Sequence, residues 1–190
     1  MKKFKIILFA SFLFIVGCSK FETNMNAREV NDFSFINQNN ENVSLEDLNG
    51  EWWIADFIFT NCVTVCLPMT YNMSILQQQL AENNLDVQLI SFSVDPETDT
   101  PEVLKEYAES YDVDFSNWSF LTGYNFDTIK ELSVQSFAAG LQQEPDSDQI
   151  QHVSRFYLIN PEGEIIKHYE GIDENEMENI IKDLKILINQ

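Results

Sequence analysis

Apolar residues along the chain form two kinds of pattern, short uninterrupted runs and longer stretches in which they recur every three or four positions. Short runs rich in β-branched and aromatic residues predict buried strands, whereas recurrence at helical spacing predicts amphipathic helices. The runs that predict strands are 52–59, 87–94, 118–121, 156–159 and 165–169. Weaker patterns at 32–36 and 43–45 predict a small β-hairpin ahead of these strands.

Helical spacing predicts a helix after each of the first three strands, and one more at the end of the chain. Pro68 suits the first turn of the first helix, and Thr100 and Asn125 are the predicted N-caps of the next two. Asp173 and Glu176 make a capping-box-like start to the last helix. The apolar residues of that helix expected to face the core are Met177, Ile180, Ile181, Leu184, Leu187 and Ile188.

Strands and helices therefore alternate through the middle of the chain, which closes with an antiparallel hairpin and a helix. This alternation predicts an α/β domain with parallel central strands. Together with a cysteine pair after the first central strand, the order describes a thioredoxin-like fold. We expect a central mixed sheet flanked by helices, with an N-terminal β-hairpin extension.

Residues 137–151 differ from the rest because they show little periodicity and include the acidic run 144–148. Such a segment is predicted to be an exposed, mobile loop. It ends at His152, at the start of a predicted strand.

The N-terminus has the pattern of an export signal, with three lysines before the apolar run 6–16, which is too short for a comfortable membrane span. A small residue directly before Cys18 resembles the lipobox of bacterial lipoproteins. This resemblance implies cleavage before Cys18 and lipidation of its thiol. The predicted parts are a signal peptide (1–17), a lipidated N-terminus with a flexible tether (18–27) and the thioredoxin-like domain (28–190). The domain is then expected outside the cytoplasm, anchored to the cell membrane.

The composition describes an acidic globular chain of 190 residues, with a formal net charge of −20. Loss of the signal removes three lysines and no acids, so the mature charge is 8 − 31, or −23. We expect no nucleic-acid partner, because phosphate binding needs clustered Lys and Arg. The acidic charge either forms a solvated surface or attracts cations or a basic partner.

Cys62 and Cys66 lie at the junction between the strand at 52–59 and the helix that contains Pro68. Backbone N–H groups and the positive end of the helix dipole favour a thiolate there. Four-residue spacing on a helix would place both sulfurs on one face. The pair could bind one soft metal ion, Cu(I) or zinc, or form a redox disulfide.

The chain contains two histidines, and only one is a candidate for this site. His168 lies in an alternating strand beside Lys167 and is expected to be exposed. His152 precedes a strand whose start, in a thioredoxin-like fold, abuts the helix N-terminus that carries the cysteines. A site for copper in both oxidation states would use such a nitrogen donor.

The segments 59–68, 93–101 and 152–161 together resemble the Sco/SenC family. Members of this family are thioredoxin-like copper proteins that help to assemble the CuA centre of cytochrome c oxidase. The resemblance extends over about residues 30–190. It implies that Cys62, Cys66 and His152 bind copper, as Cu(I) or Cu(II). It also implies two partners: the CuA-bearing oxidase subunit, and a copper donor protein or free copper.

The chain departs from the family between its cysteines, where Val63, Thr64 and Val65 replace the acid and proline that the family often has. We expect this difference to alter the tuning of the site and its partner contacts, and not metal ligation. Metal binding is also expected to order the loop that ends at His152.

Three aspartates are candidates for support of the site. Asp95 and Asp99 belong to the family's D-P-x-x-D-T-P motif; they either order the turn and loop before a helix or support the copper site indirectly. Asp56 interrupts an apolar strand six residues before Cys62, a spacing similar to that of thioredoxin. It could exchange protons with Cys66 from a buried position, or simply accept a hydrogen bond at a sheet edge.

Two functions of different classes follow from these patterns. One is a metallochaperone that delivers copper to the oxidase subunit, and not a classical enzyme. The other is a thiol–disulfide oxidoreductase that uses Cys62 and Cys66 to keep the cysteines of the CuA site reduced. A general thioredoxin is disfavoured, because the chain lacks C-x-x-C and a proline beside His152. A peroxiredoxin would carry Thr at position 59, where this chain has Phe59.

Overall fold

The computed structural model describes residues 21–188, so the predicted signal peptide and Cys18 lie outside the described residues. The strands are β1 Arg28–Glu29, β2 Ser34–Ile36, β3 Asn42–Ser44, β4 Trp52–Ile58, β5 Val87–Ser93, β6 Trp118–Leu121, β7 Gln142–Gln143, β8 Ile150–Gln151, β9 Arg155–Ile159 and β10 Glu164–Glu170. The α-helices are α1 Cys66–Glu82, α2 Pro101–Glu109, α3 Phe126–Gln135 and α4 Asn175–Ile188.

Six strands form one mixed sheet in the order β1-β10-β9-β4-β5-β6. The strand β4 pairs in parallel with β5, and β5 pairs in parallel with β6. On its other side β4 pairs antiparallel with β9, which continues through β10 to β1. Residues 53–58 of β4 are all buried, as expected for a strand inside a sheet covered on both faces. The predicted thioredoxin-like mixed sheet is confirmed.

The predicted N-terminal hairpin is also confirmed, since β2 pairs antiparallel with β3. A bridge between Ile36 and Thr122 connects the hairpin to the end of β6. The two-residue strand β1 was not predicted, because so short a strand carries no hydrophobic pattern of its own.

The helices α2 and α3 begin where their capping residues predict, whereas α4 begins at Asn175, whose N–H donates to the Asp173 carboxylate in place of the Glu176 N–H that a capping box would use. Thr100 accepts a hydrogen bond from the backbone N–H of Val103, and Asn125 accepts one from that of Thr128. The last helix carries its predicted apolar face from Met177 to Leu184. Ile188 was predicted to face the core, but it is 37% exposed.

The segment 137–151, predicted to be an exposed, mobile loop, is exposed in its middle but differs from the prediction in two respects. Its ends pair as the small antiparallel hairpin β7–β8, with Gln142 opposite Gln151. Four of its apolar side chains are buried in the core: Phe137, Ala139, Leu141 and Ile150. Scattered apolar residues without helical or alternating spacing gave no sign of this burial in the sequence.

The described part of the predicted tether, residues 21–27, lies against β10. The hydroxyl of Thr23 donates to the carbonyl of Ile166, and the amide of Asn24 donates to the carbonyl of His168, at 2.5 and 2.7 Å. The ring of Phe21 lies 5.5 Å from the ammonium of Lys167. Within residues 21–188 no helix is both long and apolar enough to cross a membrane.

Candidate metal site

The cysteines lie where the central strand β4 leads into α1. Cys66 is the first residue of α1, whereas Cys62 belongs to the preceding turn, in which its N–H donates to the carbonyl of Phe59. The cysteines therefore lie at the predicted strand-to-helix junction, but they do not share one helix face, because Cys62 lies before the helix. The turn brings them together instead, and the backbone N–H of Cys66 donates to Sγ of Cys62 at 3.4 Å. Both cysteines are buried and are free thiols.

The start of the cysteine-bearing turn is held by Asp99, which is fully buried. Its carboxylate accepts hydrogen bonds from the hydroxyls of Thr60 and Ser93, at 2.5 and 2.6 Å. The backbone N–H of Thr60 lies 3.3 Å from both carboxylate oxygens. Asp99 thus connects Ser93, at the end of β5, to Thr60, two positions before Cys62. It supports the site by holding the backbone that leads to Cys62.

Asp95 has a different role, which matches its predicted place at the start of a turn. Its backbone carbonyl accepts hydrogen bonds from the N–H groups of Thr98 and Asp99, at 3.1 and 2.9 Å. These bonds form the turn that precedes α2, so Asp95 shapes the segment that presents Asp99.

His152 lies between β8 and β9, and its ring points at the cysteines. Nε2 is 3.2 Å from Sγ of Cys66, and Nδ1 is 3.1 Å from the carbonyl of Val153. Because a carbonyl can only accept, Nδ1 carries the ring proton, and Nε2 then accepts a hydrogen bond from the Cys66 thiol. The ring of Phe59 packs edge-on against the imidazole at 5.9 Å.

The sulfurs of Cys62 and Cys66 and the imidazole of His152 all lie within 4.8 Å of one another. Among residues 21–188, no other group of three or more Cys, His and acidic side chains brings its donor atoms close enough together to hold one metal ion. Two soft thiolates and an imidazole suit copper or zinc better than a hard ion such as magnesium. The predicted candidates, ninety residues apart in sequence (152 − 62), are thus brought together by the fold.

The two thiols differ in acidity. Interaction with the Cys66 thiol lowers the pKa of Cys62 to about 3, with further contributions from His152 and from the backbone N–H of Thr64 and Cys66. Burial raises the pKa of Cys66 well above its usual value, and the neighbouring Cys62 and Asp56 raise it further. At neutral pH the pair therefore holds one proton, on Cys66, and Cys62 is the thiolate.

Asp56 is buried within β4, in register with Ser91 of β5. Burial raises its pKa to about 7, although Ser91 and the charge of His152 partly oppose the shift. Neither carboxyl oxygen has a hydrogen-bond partner of good geometry among the described residues. Because β4 lies inside the sheet, the alternative of a hydrogen bond at a sheet edge is wrong. The carboxyl is close enough for its charge to act on Cys66.

Sequence reasoning missed Gln149, which precedes His152 by three residues. Its side-chain amide donates to the carbonyl of Asn61 at 3.1 Å, and its oxygen lies 3.5 Å from the N–H of Val63. Gln149 therefore joins the hairpin that carries the histidine to the turn that carries Cys62. No local pattern marks such a residue, because its partners lie almost ninety positions away.

His168, the other histidine, lies in β10 and outside this site. Its ring is 6.3 Å from that of Tyr157, and the side chain is partly buried and not exposed as predicted. Burial lowers the pKa of His168. The fold thus assigns the two histidines to different surroundings.

A family model described as SCO1/SenC matches residues 21–189. The chain belongs to the SCO1/SenC family. The predicted family is therefore confirmed, and solved structures of related proteins agree. A SCO1/SenC family lipoprotein from Bacillus anthracis str. Ames superposes with a TM-score of 0.80 and 44% identity, over 83% of this chain and 94% of that one.

Two further SCO1/SenC relatives bear on the chemistry of the site. BsSco, a member of the Sco family of cytochrome c oxidase assembly proteins with an identified disulfide switch, has a TM-score of 0.79 and 48% identity, over 86% of this chain and 95% of that one. ScoI of Arabidopsis thaliana with copper bound has a TM-score of 0.69 and 27% identity, over 82% and 97%.

Proposed function

We propose that this SCO1/SenC protein binds copper outside the cytoplasm, anchored by lipid on Cys18, and delivers it to the CuA-bearing subunit of cytochrome c oxidase. The observation that carries the proposal is the convergence of Cys62, Cys66 and His152 within 4.8 Å. Relatives that bind copper or assemble the oxidase support the same assignment.

The donor set suits an ion that has to be held and then released. Two thiolates satisfy Cu(I), and the imidazole of His152 adds the nitrogen donor that Cu(II) favours. His152 lies beyond a small hairpin, whereas both cysteines follow a central strand directly. Withdrawal of the imidazole would leave a two-sulfur site from which a competing thiolate could take the ion.

The surface next to the site suits a protein partner. Val63, Leu67 and Tyr71 are 74, 50 and 53% exposed; Val63 and Leu67 directly follow the two cysteines, and Tyr71 lies about one turn further along α1. Exposed apolar side chains grouped in this way are typical of protein–protein contacts. A partner that docks there would bring its own metal ligands close to Cys62.

A copper titration of the reduced full-length protein tests the proposal. We expect one Cu(II) per chain with thiolate-to-copper charge-transfer absorption. Loss of a residue that only hydrogen-bonds to a metal ligand typically lowers metal affinity by roughly 10- to 100-fold. Because His152 would bind the ion directly, the Cu(II) affinity of His152→Ala should fall by more than that. The matched control is His168→Ala, which removes the other histidine and should retain the affinity. Copper binding no tighter than to an unrelated dithiol would refute the proposal.

Thiol–disulfide exchange is a second candidate, favoured by the unequal acidity of the two cysteines. The Cys62 thiolate would attack a sulfur of the oxidised CuA-site disulfide and expel one thiolate. Cys66, once deprotonated, would attack Cys62 and expel the second thiolate, which leaves the substrate reduced and Cys62–Cys66 oxidised. An external thiol reductant would then have to restore the pair.

The two candidates are separated by what the purified protein does to the CuA-bearing domain. If the metal-free reduced protein rapidly reduces the oxidised domain, but the copper-loaded protein transfers no copper to the reduced domain, the oxidoreductase function is correct. Copper transfer with slow disulfide reduction supports the metallochaperone. Serine substitution of either cysteine should abolish both activities, so those variants do not discriminate.

Loss of the gene tests the role in oxidase assembly. Cells without the protein should lose a CuA-containing cytochrome c oxidase but keep a quinol oxidase that lacks CuA. Spectra and oxygen consumption of isolated membranes would measure both enzymes. Equal loss of the two oxidases would contradict a role in CuA assembly.

A further inference from the structure

A cavity of about 250 Å³ lies apart from the cysteines, between the segment before β1, the end of α3 and the strands β9 and β10. Its polar lining consists of Asn26, Arg28, Arg155, Tyr157 and His168. No carboxylate lines it, although the chain contains 31 acidic residues and only 11 lysines and arginines.

Positively charged side chains are scarce in this acidic chain, yet two of them line this cavity. Arg28 and Arg155 are the only two arginines in the sequence, and the fold places both at the same cavity. They come from β1 and β9, which are separated in the sheet by β10. This meeting depends on the tertiary structure, because the two residues are 127 positions apart (155 − 28).

Tyr157 supplies an unpaired donor. The residue is 1% exposed, and its hydroxyl has no hydrogen-bond partner of good geometry among the described residues. The charge of Arg155 acts on this hydroxyl and the charge of Glu170 acts on it in the opposite direction, so both side chains are close to it. An arginine is only a donor, so it cannot accept the hydroxyl proton. A buried polar group without a partner is costly, and a bound acceptor would remove that cost.

The other donors are only partly used by the protein. Arg28 donates from Nη2 to the carbonyl of Gln135 at 2.7 Å, which uses one of its five N–H groups. Nε of Arg155 is 3.8 Å from a carboxylate oxygen of Glu170, beyond hydrogen-bond distance, and both side chains are partly exposed. The cavity therefore combines several available donors with no carboxylate among its lining residues.

We propose that Arg28, Arg155, Tyr157 and His168 form a binding site for a phosphate group. Planar guanidinium groups form paired hydrogen bonds with phosphate oxygens, and donors from three strands suit a tetrahedral anion. The volume accommodates a phosphate with a small organic substituent. This proposal is independent of the copper site, because none of these side chains is a candidate metal ligand.

Two sources could supply the phosphate, a free phosphate ester or the headgroup of a membrane lipid. Met25, on the cavity wall, follows Cys18 by seven residues (25 − 18). If Cys18 carries the lipid anchor, a fully extended connection spans at most roughly 25 Å. The membrane surface then lies within reach of the cavity.

The first arm of the test titrates the full-length protein, in a maltoside detergent free of phosphate, with glycerol 3-phosphate. Binding is followed by calorimetry and by NMR of the imidazole of His168 and the arginine Nε–H groups. Tyr157→Phe and Arg155→Gln should each weaken binding by roughly tenfold or more, since each removes a hydrogen bond to a charged group. Lys130→Gln is the control for loss of one positive charge elsewhere, and should retain the affinity.

Tyr157→Phe also separates binding from folding. It removes only a hydroxyl that has no partner, so the variant should fold with unchanged copper binding and unchanged or higher stability without phosphate. No binding at millimolar glycerol 3-phosphate, or equal weakening in Lys130→Gln, would overturn the proposal.

The second arm distinguishes the sources. The full-length protein is reconstituted in vesicles of phosphatidylglycerol or of a neutral galactolipid without phosphate, and glycerol 3-phosphate is titrated again. A lipid headgroup as the natural ligand predicts that binding disappears only in phosphatidylglycerol vesicles. A free phosphate ester predicts equal binding in both.

Discussion

At the scale of single residues, the unequal acidity of Cys62 and Cys66 has a measurable consequence for metal binding. A metal replaces protons on its ligands, and here only Cys66 holds one at neutral pH. Cu(I) binding at pH 7 should therefore release close to one proton per ion, whereas two ordinary thiols would release two. Calorimetry in buffers of different ionisation enthalpy gives the number. Release of two protons per ion would contradict the assignment of a single proton to the pair.

Asp56 should link the stability of the protein to pH. Its folded-state pKa of about 7 lies above the ordinary 3.8. The stability that its proton contributes is therefore complete below pH 3.8 and is lost as the pH rises through about 7. Because a tenfold change in proton affinity corresponds to about 1.4 kcal/mol, the loss of stability by pH 8 is about 3–5 kcal/mol.

Asp56→Asn cannot ionise and should avoid this loss. Urea denaturation of the reduced proteins at pH 5 and pH 8 should show the variant gaining stability relative to the wild type as the pH rises. A difference in unfolding free energy that stays constant between the two pH values would contradict an ionisable, buried Asp56.

At the scale of elements, Gln149 joins the β7–β8 hairpin to the turn that contains Cys62. Gln149→Ala should leave the fold intact but free the hairpin and the His152 at its end. Backbone hydrogen exchange should then become faster at Val63, and the affinity for Cu(II) should fall more than that for Cu(I). Gln143→Ala, an exposed glutamine on the same hairpin, is the matched control. Equal exchange and equal affinities in both variants would show that Gln149 does not position the histidine.

The expectation that metal binding orders all of residues 137–152 has to be narrowed, because part of this segment is already paired or buried in the structure. Phe137, Ala139, Leu141 and Ile150 already anchor the two ends of the segment in the core, so the change on metal binding should be confined to its exposed middle and to His152. Hydrogen exchange with and without copper would measure that change.

At the scale of the whole molecule, the proposed anchor at Cys18 determines where the domain works. Cys18→Ala should prevent lipidation and move the protein from the membrane fraction to the soluble extracytoplasmic fraction, with copper affinity unchanged. Fractionation followed by immunodetection measures the distribution. A variant that remains in the membrane would contradict the lipid anchor, and Cys62→Ala is the control for loss of a different thiol.

The sequence by itself determined the order of the central strands and helices, the hairpin extension and the positions of the cysteines and of His152. Those features follow from local physics, since side-chain periodicity, N-capping residues and proline placement act over a few residues. The reactive cysteines were also identifiable from the sequence. Cys62 and Cys66 lie between an apolar strand and an amphipathic helix, where neither packing nor helix formation requires a thiol.

Only the tertiary structure decided how those residues act together. The 3.2 Å contact between His152 and Cys66, and with it the choice of the thiol that keeps its proton, depends on where β9 pairs with β4. The role of Gln149, the burial of Asp56 without a partner and the cavity lined by both arginines have the same origin. Each depends on residues far apart in the chain, and short-range patterns carry no information about contacts of that kind.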